Sequence, residues 1–233
     1  MMDMEKLENQ LAELPLLGYF HIDPQALEFN DRIRWICENE CPMYGKTWAC
    51  PPGTGSVADC EFKCRRYKNC LMVATITEVE DIADLEETLA TRPEHEEITN
   101  QVRDLMREQG VEPYVLSTEA CAICEHCAYL EGKPCRFPEK MHPCVESHGI
   151  NIIPTLEENG IEFQFGCNVV TWVSLLFYCG KKKPPCDYRS VFLHFLILYI
   201  PMMRKMVLRS RKEIRKIRWT FPLMHCSQLP KST

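Results

Sequence analysis

The sequence contains no Gly-rich phosphate loop, no G-x-S-x-G elbow and no H-E-x-x-H pair. Nucleotide-hydrolysing, serine-hydrolase and zincin chemistries therefore lack their usual scaffolds. Its opening stretch, MMDMEKLENQLAELPLLGYF, is acidic and has neither the basic n-region nor the apolar h-region of a secretory leader. A cytoplasmic, reducing location is expected, where cysteines serve as metal ligands more readily than as disulfides. The apolar run Val191–Met203 is 13 residues long and broken by His194 and Pro201, too short for a membrane span. No self-similar repeat is visible, which sets solenoids aside.

What the chain does have is cysteine: 15 in 233 residues, far above ordinary usage. Charge is divided just as unevenly. Residues 179–233 carry 13 Lys/Arg against two acids, Asp187 and Glu213, while residues 1–178 carry 14 Lys/Arg against 31 acids. The acidic body argues against nucleic-acid binding, because phosphate contacts need a basic face. Two regions follow: a cysteine-rich metal-binding domain over 1–178 and a basic, partly apolar extension over 179–233. Met206, Val207, Ile214 and Ile217 fall on one helical stripe among the extension's cations. That pattern suits an amphipathic helix on a membrane surface or an anionic partner; the abrupt change of composition at Cys179–Pro185 tips the reading toward an unfolded extension.

Hydrophobic spacing outlines the body. Leu7, Leu11 and Leu14 sit at helical intervals. Ser56 followed by Asp59 reads as a capping box, opening a helix that presents Cys60, Cys64 and Tyr67 on one face. The apolar run Cys70–Ile76 predicts a buried strand, with Cys70 as a core residue. Residues 82–109 predict helix interrupted at Pro93 and ended by Gly110, and 111–117 a second strand. Strand, helix, strand is a βαβ unit, so the two strands are expected as parallel neighbours. A brief strand is expected at 150–153, and a hairpin of Ile161–Phe165 with Val169–Tyr178. The predicted class is α/β: a small mixed sheet with packed helices and two cysteine-rich loops at one edge.

The first chemistry-bearing motif is Cys121-x2-Cys124-x2-Cys127-x7-Cys135. Three thiolates at steps of three wrap a tight loop, and a fourth closes it, which is the ligand economy of an iron–sulfur cluster. Zinc is the competitor, although zinc ribbons usually present two separated C-x2-C pairs. The second motif is Cys37-x3-Cys41-x8-Cys50, with Cys60 or Cys64 as its fourth ligand and prolines following Cys41 and Cys50. Cys144 reads as a spare ligand or a redox partner. His126, His142 and His148 read as satisfied or surface histidines, and Arg136 as a solvated or charge-balancing neighbour of Cys135.

The blocks CPMYGKTWACPPG and CAICEHCAYLEGKPCRFPEKMHPCVESHGI, in that order, resemble a family of predicted metal-binding, cysteine-rich proteins of anaerobic bacteria and archaea, catalogued as a domain of unknown function. The resemblance covers about residues 15–178. It implies that Cys37, Cys41 and Cys50 match the family's first cysteine block, and Cys121, Cys124, Cys127 and Cys135 its second.

The leading expectation is an iron–sulfur protein, with one or two clusters of the 4Fe–4S type, that passes electrons to a partner enzyme or helps assemble it. The alternatives are a zinc-stabilised interaction module and a cysteine-based redox enzyme using Cys144 or Cys167. No residue pair reads as a catalytic acid and base.

Overall fold

A computed structural model describes residues 2–161 and 168–180. Among them, six α-helices and six strands follow in the order α1 Met4–Leu11, β1 Gly18–Ile22, β2 Glu28–Phe29, α2 Asp31–Asn39, α3 Val57–Arg65, β3 Asn69–Glu78, α4 Leu85–Ala90, α5 Arg92–Glu108, β4 Tyr114–Leu116, β5 Ile150–Asn151, α6 Ile153–Glu158 and β6 Val169–Tyr178. The α/β class holds. The expected basic helix, residues 162–165 of the expected hairpin, and Cys167 lie outside the described residues.

Helix boundaries follow local chemistry. Asp3 caps α1 by accepting from the Lys6 N–H. At α3 the Ser56 and Asp59 side chains exchange hydrogen bonds with each other's backbone N–H, as the capping box requires. The interruption expected at Pro93 falls at Thr91, between α4 and α5, and Pro93 occupies the first turn of α5, where its missing N–H has no intrahelical role. Gly110 at φ 76° ends the same helix in the left-handed region.

The main sheet has the order β1-β3-β6-β4, with every pairing antiparallel. This corrects the βαβ expectation. β3 and β4 run in the same direction, but β6 lies between them and pairs with both. The cause is in β6 itself: Val170–Tyr178 is buried along its whole length, so both faces and both edges need cover. A strand of that kind stabilises most at the centre of a sheet. A second, two-stranded sheet joins β2 to β5.

Strand alternation then sorts the core into two layers. On one face Leu71, Val73, Val115, Leu176 and Tyr178 meet Leu7 and Leu11 of α1 and Val102 and Met106 of α5. On the other, Cys70, Met72, Leu116, Leu175 and Phe177 meet Cys64, Tyr67, Ile150 and Leu156. Cys70 is therefore a core residue, as its strand position predicts.

A buried polar thread crosses the sheet. His95 on α5 hydrogen-bonds Thr75 of β3 at 2.8 Å and Ser174 of β6 at 2.7 Å. Ser174 in turn hydrogen-bonds Ser117, the first residue past β4, at 3.1 Å. Burial pushes the His95 imidazole down to about 3, with the Arg92 charge adding to it, so the ring is neutral at physiological pH.

Candidate metal centre

The cysteine run starts where β4, an edge strand, ends. Ser117 donates its N–H to the Pro143 carbonyl at 2.9 Å and accepts from the Val145 N–H at 3.0 Å. The segment carrying Cys144 is thereby zipped against the strand from which the run departs. Glu119 then adopts φ 56°, a left-handed conformation that costs a non-glycine residue ~1 kcal/mol. It turns the chain out of the sheet.

Cys121, Cys124, Cys127 and Cys135 line one cavity, closed by Trp48, Ile123, Phe137 and Met141. All four thiols are partly buried. Burial raises the Cys121 pKa; the neighbouring Cys135 and Cys127 add to the rise, and a backbone hydrogen bond from Ile123 opposes it. Three contacts hold the loop in shape. Trp48 Nε1 donates to the Lys133 carbonyl at 2.9 Å, and its ring meets Tyr129 edge-on at 4.9 Å. Arg136 Nη1 donates to the His126 carbonyl at 2.6 Å. Arg136 is thus a clamp across the run, and the His126 side chain is exposed.

Cys37 on α2, Cys41 just beyond it and Cys50 in the following turns make a second neighbourhood. Burial pushes the Cys37 thiol up to about 11, with Cys41, Glu146 and Cys50 adding to the rise and Arg34 opposing it. Cys144 joins this group. Its influence draws the Cys50 thiol down to about 7, while Cys50, burial and the nearby Glu146 push Cys144 well above its ordinary value. Cys60 has a different setting: its thiol donates to the Thr54 carbonyl at 3.3 Å, and Arg34 Nη2 approaches its sulfur at 3.9 Å. Cys64 is fully buried in the core face of α3.

Gly53 makes this turn passable. A Cβ there would stand 2.9 Å from the Thr47 carbonyl oxygen, 3.1 Å from that of Cys50 and 3.2 Å from Trp48 Cα. Backbone atoms cannot swing aside as a side-chain end can. Gly53→Ala is expected to destabilise the fold by about 1–3 kcal/mol through overpacking. It should also shift the Thr47–Cys50 turn, which carries both Cys50 and Trp48. Thermal denaturation checks this, and an unchanged midpoint would count against the crowding.

His142 is buried beside Asn100, its Nε2 3.0 Å from Oδ1, and His148 beside the Tyr114 hydroxyl at 2.7 Å. Burial pushes them down to about 4 and about 3 respectively. Both are satisfied by protein groups, as the sequence suggests. Arg34, a buried cation at 7 % exposure, escapes sequence reasoning, because nothing in a helix pattern marks one arginine as inward.

Among the described residues, no three His, Cys, Asp or Glu side chains converge tightly enough to hold one metal ion. Nor is any helix among the described residues long and apolar enough to cross a membrane.

A family model described as "Predicted metal-binding protein (DUF2284)" matches residues 20–178. No curated protein and no solved structure matches the chain.

Proposed function

The chain belongs to that family of predicted metal-binding proteins, and from this premise we propose that it is an iron–sulfur protein whose cluster is ligated by Cys121, Cys124, Cys127 and Cys135 and serves a protein partner by electron transfer or assembly. The observation that carries this reading is the cavity those four thiols share, walled by Trp48, Ile123, Phe137 and Met141. Four sulfurs facing one apolar-walled space suit a polynuclear cluster, in which each iron takes its own thiolate. Bound there, the cluster would supply one-electron chemistry.

The chain's own residues supply the rest. The thiols must lose their protons on loading, so affinity rises with pH. Trp48, Phe137 and Met141 limit water at the sulfurs, which tunes the potential. Arg136 ties the two ends of the loop together, and Trp48 ties it to the turn that carries Cys50. The four-thiol cavity is also close to solvent. A cleft of about 370 Å³ touches Cys135 and another of about 490 Å³ touches Cys121, while Ile123 and Phe137 are exposed at the rim. Those features favour a docked protein partner, since aromatic and apolar side chains anchor such contacts.

Full-length protein purified without oxygen should be brown and contain iron and acid-labile sulfide. Cys127→Ala should lose at least half of both. A colourless protein holding stoichiometric zinc would defeat the reading and favour a zinc-stabilised interaction module.

A further inference from the structure

We propose that the cleft flanking Cys135 binds a small organic acid with a flat, apolar body, an aromatic carboxylate, whose acid group is held by Lys63. The site goes beyond the protein partner proposed above, and its occupancy does not require a cluster.

The cleft has a built-in direction. It holds about 370 Å³, within the ~300–1,000 Å³ usual for small-molecule sites. At one end it shares Trp48, Cys135 and Met141 with the four-thiol cavity. At the other it shares Lys63, Tyr114 and Pro143 with a further cleft of about 250 Å³. One end is thus apolar and thiol-lined, the other cationic. Ile123 and Phe137 of the exposed rim do not line it, so the docking face and this cleft are separate.

Charge sets the sign of the ligand. Residues 1–178 carry 31 acids against 14 Lys/Arg, yet among the described residues no carboxylate lines this cleft and Lys63 is its one cation. The Lys63 ammonium stands 3.6 Å from the centroid of the Tyr114 ring. A ring face holds a cation in place without neutralising it. The other polar groups are turned toward the protein. Trp48 Nε1 donates to the Lys133 carbonyl at 2.9 Å and the Thr54 hydroxyl to the Ser147 carbonyl at 3.3 Å, while the Tyr114 hydroxyl is hydrogen-bonded to His148 at 2.7 Å. Recognition of a charged end therefore falls to Lys63, whose N–H groups suit a carboxylate.

Shape sets the rest. Trp48 is braced edge-on by Tyr129, with ring centroids 4.9 Å apart, and Pro134, Met141 and Pro143 continue the apolar wall. A flat ring covers such a wall with little conformational entropy to lose. On the iron–sulfur reading the thiolates at the Cys135 end repel an anion, which places the acid group at Lys63 for a second reason. The apolar body then lies against Cys135, so a bound acid abuts a ligand of the proposed cluster.

The test titrates benzoate, benzamide and acetate into full-length protein purified without oxygen, by calorimetry, with iron measured on the same samples. Benzoate should bind at one site per chain. Benzamide, its uncharged counterpart, should bind at least about tenfold more weakly, as expected for losing a charge-assisted hydrogen bond. Acetate, which has the charge without the body, should also bind at least about tenfold more weakly. Lys63→Met keeps an apolar stem over Tyr114 but no charge, so it should bring benzoate down to the level of benzamide. Lys6→Met, at an exposed lysine on α1 outside the cleft, should leave binding unchanged. The comparison of benzoate with benzamide needs no variant, so it decides the matter even if Lys63→Met fails to fold. Equal affinities for those two probes, or benzoate binding that survives in folded Lys63→Met, would overturn the assignment. Acetate binding as tightly as benzoate would reduce the cleft to a plain anion site and overturn the ligand class. Iron-loaded protein that shows no saturable benzoate binding would end this inference and leave the cluster standing; iron-free protein that binds benzoate through Lys63 would do the reverse.

Discussion

Phe177→Ala is expected to cost about 3–5 kcal/mol, the range for truncating a buried aromatic. Phe177 is fully buried in the central strand β6, paired with Cys70 on one side and Tyr114 on the other. Its ring lies 6.0 Å from that of Tyr67 and 6.3 Å from that of Tyr114, and those two tyrosines stack on each other at 6.1 Å. Ring contacts at such spacings add about 0.5–1.5 kcal/mol beyond area burial. The pleat leaves little room for repacking, since Met72, Leu116 and Leu175 already fill the same face. The loss would be a large share of a typical domain's ~5–15 kcal/mol. Chemical denaturation of wild type and variant at one metal loading measures it, and a change below ~1 kcal/mol would show that the aromatic layer relaxes freely. Tyr114 also touches the His148 imidazole, so the second cysteine neighbourhood should loosen along with the core.

Acid should destabilise this fold well before carboxylates titrate. His95 and His148 have folded-state pKa values of about 3, held down chiefly by burial, against about 6.5 in the unfolded chain. The unfolded state therefore binds protons first. Stability from these groups is fully present above about pH 6.5 and is lost as pH falls from there toward about 3. Between those limits each histidine contributes a slope approaching ~1.4 kcal/mol per pH unit. His142, pushed down to about 4, acts in the same sense, and the three make acid loss steep near about pH 5. His95→Gln retains a polar side chain for Thr75 and Ser174 but cannot charge, so it should remove about a third of that slope. Urea unfolding between about pH 4.5 and 7.5 decides the matter; equal slopes in the two proteins would mean that His95 does not titrate on unfolding.

Much of the local structure was readable in advance because its causes are local. The Ser56–Asp59 capping box formed as written. Cys60 and Cys64 fell together on the buried face of α3, because helical geometry alone puts positions i and i+4 there, and Tyr67, just past the helix end, is buried too. The apolar run at Cys70 became β3, and Gly110 ended α5. The break read at Pro93 formed at Thr91, with the proline opening the first turn of the next helix. Cys144 is the instructive case. Its Pro143-Cys144 pair repeats the Pro134-Cys135 pattern, a signal that marks a loop cysteine, yet nothing in the spacing told which block it would join.

Strand neighbours lay beyond the sequence for a related reason. β3, α5 and β4 satisfy every local rule for adjacent parallel strands, and only the arrival of β6 between them decides otherwise. Inserting it buries a predominantly apolar strand on both faces, an energy summed over distant residues that no window of sequence contains. The amino-acid order by itself determined the ligand chemistry: two cysteine blocks of stated spacing in an acidic body, and the helices and strands that flank them. Tertiary structure alone decided which thiols share a space. Cys144 lies against the end of the edge strand because a loop returns along it at Ser117. Arg34 becomes a buried cation because α2 packs inward. Contacts across such separations depend on the whole chain closing at once, whereas spacing within a turn depends only on the bonds inside it.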